Sequence, residues 1–169
     1  MRYHITAFLL VCISWVSCGA QSNDGPATKA EVAVASSVYV PVHAFDAKRN
    51  AAADIRAAIL EAQRTHKRVL LYVGADWCMY CDQMNHLFGN NPGLLELRDS
   101  RFVTVKVYYG PDQDNAQALS PYTKLLGIPH LLVLVSDGAL LHSQHVLDLR
   151  ANGEYSPAKF RNFLQRWAR

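Results

Sequence analysis

Charge is scarce in this 169-residue chain: 18% of the residues are Asp, Glu, Lys or Arg, and 17 basic against 14 acidic side chains leave a formal +3. No basic block is interleaved with aromatic residues, the pattern a nucleic-acid surface needs, so no nucleic-acid partner is expected. The one short basic cluster, Arg64, His66, Lys67 and Arg68, falls where a helix should pass into a strand and reads as favourable charge at a helix C-terminus. Internal repeats and low-complexity tracts are absent. Cysteine is the most informative scarcity. Cys12 and Cys18 lie in or beside an N-terminal apolar run, so only Cys78 and Cys81 remain for a folded domain, and no disulfide framework can be built. A structural zinc site needs a second such pair or two histidines at fixed spacing. Only His86 and His130 are placed to join the cysteines, which leaves a soft copper or zinc site as an alternative to redox use.

The N-terminal run itself, Ile5 to about Val16, is too short to span a bilayer comfortably and follows a basic residue, Arg2. With Gly19 and Ala20 after it, residues 1–20 read as a secretory signal. Cleavage after Ala20 competes with a lipoprotein reading in which Cys18 is acylated, although Trp15 stands where that signal favours an aliphatic residue. Residues 21–43 show no sustained period and read as a tether or an edge strand, with strand propensity in Ser36–Val42 and Pro41 confining it to an edge.

Half of the residues are hydrophobic, enough for the core of one domain. The chemistry lies in Arg68–Met84, RVLLYVGADWCMYCDQM. Val69–Val73 reads as a buried strand, Gly74 and Ala75 let the chain turn, and Cys78-Met79-Tyr80-Cys81 opens a helix. There the first sulfur meets the free N–H groups and the positive end of the helix dipole, which favour negative charge on it. Cys78 is therefore the expected nucleophile. Cys81, one turn later, can reach the first sulfur and is the expected resolving thiol. A close pair with no other cysteine in the domain fits a redox couple better than a staple, because a four-residue loop gives little loop-closure stabilisation. Met79 and Tyr80 bring neither charge nor proline, and leave the direction of exchange open.

Periodicity places the remaining elements. A helix is expected over Asp46–His66 with Ile55, Ile59, Leu60 and Gln63 on one face, and the active-site helix over Cys78–Phe88 with Met84, Leu87 and Phe88 inward. Asn90-Asn91-Pro92 stops it and starts a short helix, Pro92–Leu97. A strand follows over Arg101–Tyr109. The loop 110–121 holds no ligand set and reads as a surface insertion or a partner-recognition loop. A short helix Tyr122–Leu126, a strand Leu131–Val135, a turn at Ser136-Asp137-Gly138 and a strand Ala139–Val146 come next. Ser156-Pro157 caps a last helix with Phe160, Phe163, Leu164 and Trp167 on its core face.

The segment Ala75-Asp76-Trp77-Cys78-x-x-Cys81 resembles the active site of the thioredoxin superfamily, and Gly127-Ile128-Pro129-His130 before an apolar strand, about fifty residues on, strengthens the resemblance. The chain is similar to the exported bacterial branch that includes the thioredoxin-like domain of the membrane electron transporter DsbD. The resemblance implies an α/β thioredoxin fold over residues 44–169, a central mixed β-sheet of four to five strands flanked by helices. It implies a cis peptide before Pro129, a substrate platform at Trp77, and main-chain pairing of an extended peptide at Ile128. It implies a thiol-disulfide oxidoreductase that needs no cofactor and acts on protein or peptide disulfides in the periplasm. Net reduction is the preferred direction, which requires a membrane electron donor of DsbD type. The rivals are an oxidase or isomerase, and a non-enzymatic metal-binding or adaptor domain. Two departures from the family bear on proton handling. Tyr72 replaces a buried acid six residues before the first cysteine, and His86 replaces a kinking proline. Asp76 is the nearest carboxylate, placed either for proton transfer or for capping, while His130 reads as a half-buried strand residue.

Overall fold

The computed structural model describes residues 39–122 and 125–168. The candidate signal, Cys12, Cys18 and most of the 21–43 segment lie outside the described residues. Of that segment, Val42 makes one parallel bridge to Val105, and its carbonyl accepts the Lys106 N–H at 3.3 Å. Pro41, beside it, has no N–H to extend the ladder.

Helix α1 spans Ala51–Thr65, started by the Asn50 side chain on the Ala53 N–H and closed by His66 in the left-handed region. The expected start at Asp46 is too early. The Asp46 carboxylate instead takes the Lys48 N–H at 2.8 Å and holds a turn ahead of the cap. The buried stripe is Ala51, Ile55, Ala58 and Ala62. Leu60 and Gln63, expected on the inner face, are exposed. The alanines let the helix lie close to the sheet.

Strand β1 (Arg68–Gly74) leads through a turn into α2 (Met79–Gly89). Helix α3 (Pro92–Arg101) runs one turn further than its expected end at Leu97 and passes directly into β2 (Phe102–Tyr108). The short helix expected at Tyr122–Leu126 is not formed at its ends: Tyr122 lies in a turn, Leu125 and Leu126 are non-helical, and 123–124 lie outside the described residues. A four-residue helix, α4 (Ala116–Leu119), forms earlier, where the Asp114 carboxylate accepts the Ala116 N–H at 2.9 Å. Strands β3 (His130–Leu134) and β4 (Leu140–His145) follow as a hairpin. A 3₁₀ turn, Val146–Leu149, then precedes a two-residue hairpin, β5 (Arg150–Ala151) with β6 (Glu154–Tyr155), that the periodicity did not reveal. Ser156 caps α5 (Pro157–Trp167), with proline in the first turn as expected.

The four-stranded sheet has the order β2-β1-β3-β4, with β1 parallel to β2 and antiparallel to β3. Both faces are covered. Leu70, Tyr72, Leu131 and Val133 pack with α2, α3 and α5, while Val69, Leu71, Val73, Leu132 and Leu134 pack with α1. A central strand buried on two sides has to be apolar throughout, which explains the unbroken run Val69–Val73. The pairing of Val73 with His130 carries Pro129 to the C-terminal end of β1, where the turn into α2 departs.

Candidate active site

Cys78 is the N-cap of α2. Its backbone is extended, and its sulfur accepts the Cys81 N–H at 3.3 Å, so the first cysteine takes one of the helix's unpaired donors. Both thiols are free. Cys78 retains 7% exposure and Cys81 only 1%, which leaves Cys78 as the sulfur an incoming molecule meets. Burial, and then the bond to Cys78, push the Cys81 thiol up to about 12. Its sulfur lies tight against β1: a Cβ on Gly74 would stand 2.7 Å from Cys81 Sγ and 2.7 Å from Phe45 Cζ.

Tyr72 reaches the same cysteine from below. Its hydroxyl donates to the Cys81 carbonyl at 2.7 Å, and burial raises its phenol far above the ordinary value, so it serves as a donor and not as a base. Phe45 meets its ring edge-on at 5.0 Å. The Lys106 ammonium lies over both rings, 5.2 Å from Phe45 and 5.6 Å from Tyr72, and donates to Asn85 Oδ1 at 2.9 Å.

Trp77 is 60% exposed beside the cysteines. Its indole N–H donates to the Tyr108 hydroxyl at 3.2 Å, which donates to Asp112 at 3.1 Å, while Asn115 donates to the Tyr108 carbonyl at 2.8 Å. The loop after β2 therefore fixes the tryptophan, a role its sequence did not disclose. A cleft of about 480 Å³ opens between Phe45, Lys48, Asp76, Trp77 and Asp112. Asp76 is exposed, and its carboxylate accepts the Trp77 N–H at 3.0 Å. The helix cap is Cys78, two residues on, and among the described residues Asp76 bonds neither sulfur.

The Ile128–Pro129 peptide is cis, and Pro129 is buried where β3 begins. His130 is buried with Nε2 2.7 Å from Ser143 Oγ, and burial, with His145 and His142 nearby, pushes its pKa below the usual histidine range. His86 is exposed and faces Asp82 at 3.3 Å. His86 thus pairs with Asp82 and His130 Nε2 with Ser143, while His130 Nδ1 is buried without a partner among the described residues. Among the described residues no three His, Cys, Asp or Glu side chains converge as a metal site would require.

Two residues near the pair escaped the sequence reading. The Arg150 guanidinium stacks 4.8 Å from the Tyr80 ring centre and 5.6 Å from that of Tyr155. Both come from the β5–β6 hairpin. The signal for it is Asn152-Gly153, whose left-handed φ values of 52° and 83° are those of a two-residue hairpin turn.

A family profile described as Thioredoxin-like matches residues 50–136. The thiol:disulfide interchange protein DsbD of Pseudomonas fluorescens is 32% identical over 117 residues, 68% of this chain but 18% of that protein, so the chain spans under a fifth of this relative's length. Among solved structures, the disulphide isomerase from Xylella fastidiosa is 26% identical with a TM-score of 0.63, covering 72% of this chain and 93% of that one. The DsbD C-terminal domain of Neisseria meningitidis in its oxidised form, at 24% identity and a TM-score of 0.53 over 70% of this chain and 96% of its own, shares the fold. On the cysteine pair at the start of α2, the cis-proline at the end of β1 and these matches, the chain belongs to the thioredoxin-like family.

Proposed function

We propose that this protein is a thiol-disulfide oxidoreductase of the cell envelope that works in the reducing direction on protein or peptide disulfides. The observation that carries the reading is the asymmetry of the pair: one sulfur caps the helix and keeps a little exposure, and the other is fully buried behind it with its proton held. Cys78 attacks one sulfur of a substrate disulfide; that S–S bond breaks, a mixed disulfide forms, and the first substrate thiolate leaves. Cys81 then gives up its proton and attacks Cys78 Sγ, closing the internal disulfide and releasing the second substrate sulfur as a thiol. Two electrons pass from the pair to the substrate.

Trp77 supplies an exposed platform, and Ile128 and Pro129 a backbone edge along which an extended peptide pairs. Recognition through main-chain atoms is sequence-tolerant and suits a reductant with several clients. Asp76 assists proton transfer only through solvent, given its engagement with Trp77. The domain organisation of this reading is a signal at 1–20, a lead segment at 21–43 and the redox domain at 44–169, with export leaving the protein free in the periplasm or anchored through Cys18. A spent reductant outside the cytoplasm needs recharging, and a membrane donor of DsbD type fits. DsbD's own description as a thiol:disulfide interchange protein supports the exchange chemistry.

The reduction potential of the Cys78/Cys81 couple tests this. A value near that of thioredoxin, about −270 mV, is expected; a value near about −120 mV overturns the direction. Cys78→Ser is expected to abolish disulfide reduction, and Cys81→Ser to trap mixed disulfides that can be isolated and identified. The likeness to a disulphide isomerase favours a second reading, isomerisation. It predicts reactivation of a scrambled disulfide protein by Cys81→Ser, since isomerisation needs only the attacking thiol.

A further inference from the structure

An aromatic side chain that is 60% exposed is ordinarily free to change rotamer, and a mobile ring makes a poor platform because its freedom is lost whenever a substrate binds. Trp77 is held at both ends. Its backbone N–H donates to the Asp76 carboxylate at 3.0 Å, and its indole N–H to the Tyr108 hydroxyl at 3.2 Å. The phenol has one proton, which goes to Asp112 Oδ2 at 3.1 Å, so indole, phenol and carboxylate form a chain with a single direction. The segment after β2 is built around that hydroxyl. Tyr108 is buried, and its carbonyl accepts the Asn115 side-chain amide at 2.8 Å. The Gly110 N–H donates to the Gln113 carbonyl at 3.1 Å and closes a tight loop. Gly110 lies directly on the phenol: a Cβ there would stand 2.5 Å from the hydroxyl oxygen and 2.8 Å from Cζ. A plain connection out of β2 needs none of this, and phenylalanine would fill the same space with no hydroxyl to satisfy. Trp77, Tyr108 and Asp112 also line the cleft of about 480 Å³, so the setting of the indole shapes the cleft.

We propose that Tyr108 is a positioning residue for substrate: through its hydroxyl the 110–115 loop orients Trp77 in advance and raises affinity for protein and peptide disulfides. The inference rests on the oxidoreductase reading above. It gives the segment after β2 an inward task, on the platform. Among the described residues the Tyr108 hydroxyl bonds Trp77 and Asp112 and neither sulfur, so the exchange chemistry stays with the cysteine pair. A disulfide too small to lie across the indole gains nothing from the brace. Preference for large over small disulfides is therefore the property that this hydroxyl controls.

Tyr108→Phe removes the hydroxyl and keeps the buried ring. The full-length protein, reduced beforehand, is mixed with insulin or with hydroxyethyl disulfide, and the loss of its thiols is followed by trapping. The ratio of the two second-order rate constants, insulin over hydroxyethyl disulfide, is expected to fall about fivefold, the scale of one side chain left to be ordered on binding. Gly110→Ala keeps the hydroxyl but pushes it out of line, and should lower the ratio in the same direction. A second measurement needs no turnover. In reduced protein carrying isotope-labelled tryptophan, the indole N–H resonance of Trp77, assigned by its absence in Trp77→Phe, should move upfield in Tyr108→Phe. An unchanged ratio in a wild-type background that reduces both disulfides overturns the role of Tyr108 alone, as does an indole resonance that stays in place. A wild-type protein that reduces neither disulfide, while its indole resonance still moves in Tyr108→Phe, would refute the oxidoreductase reading and leave the brace standing.

Discussion

Gly74 has no side chain because there is no room for one. A Cβ would press on Cys81 Sγ and on Phe45, and the cysteine cannot swing aside in a packed core. Gly74→Ala is expected to cost about 1–3 kcal/mol and to bring Cys81 into reach of alkylating reagents. Denaturant unfolding with thiol trapping reads both, and an unchanged midpoint would mean that Cys81 and Phe45 both give way without cost. His130 makes a pH prediction. Its pKa in the folded state is depressed, so the unfolded chain binds the extra proton first, and stability falls as pH drops below the unfolded value of about 6.5. Urea midpoints between pH 7 and 5 should fall more steeply for the wild type than for His130→Gln. At this scale the cysteine pair was legible from its spacing, and the exposed Trp77 and the cis peptide before Pro129 from the family resemblance. Arg150 was not, because no local pattern ties it to the Tyr80 ring on the active-site helix, seventy positions earlier.

Helix α2 begins at a cysteine whose side chain does a capping residue's job. Serine accepts the same N–H and alanine does not, so Cys78→Ser should be more stable than Cys78→Ala by about 1 kcal/mol. Thermal unfolding of the two reduced variants measures the difference; equal midpoints would mean that the sulfur contributes no cap. The active-site helix and the final helix were legible because a 3.6-residue pattern ran over about ten positions, and the strand before the cysteines because Val69–Val73 is unbroken apolar. Helix α1 was legible in kind and at Ile55 and Ile59, but the buried alanines were not, since alanine signals burial less strongly than Leu60, which is exposed. Helix α4 and the β5–β6 hairpin were not legible from periodicity. Elements of four and two residues carry no period, and they depend on side-chain caps such as Asp114 or on turn chemistry such as Asn152-Gly153.

Across the whole molecule, a sheet covered on both faces holds one reactive pair at the end of its central strand. A buried thiol that resists ionisation adds little to the stability of the reduced form, so the disulfide form is expected to be the more stable. Oxidised protein should unfold at higher denaturant than reduced protein; the opposite order marks an oxidant, whose reduced form is the favoured one. Closing the disulfide requires the two sulfurs to stand about 2.05 Å apart. Cys81 is wedged against Gly74, so the travel is expected to fall to Cys78, at the rim beside Trp77. Loaded and spent copies of this domain are then expected to share a single inside and to differ at a patch the width of one sulfur.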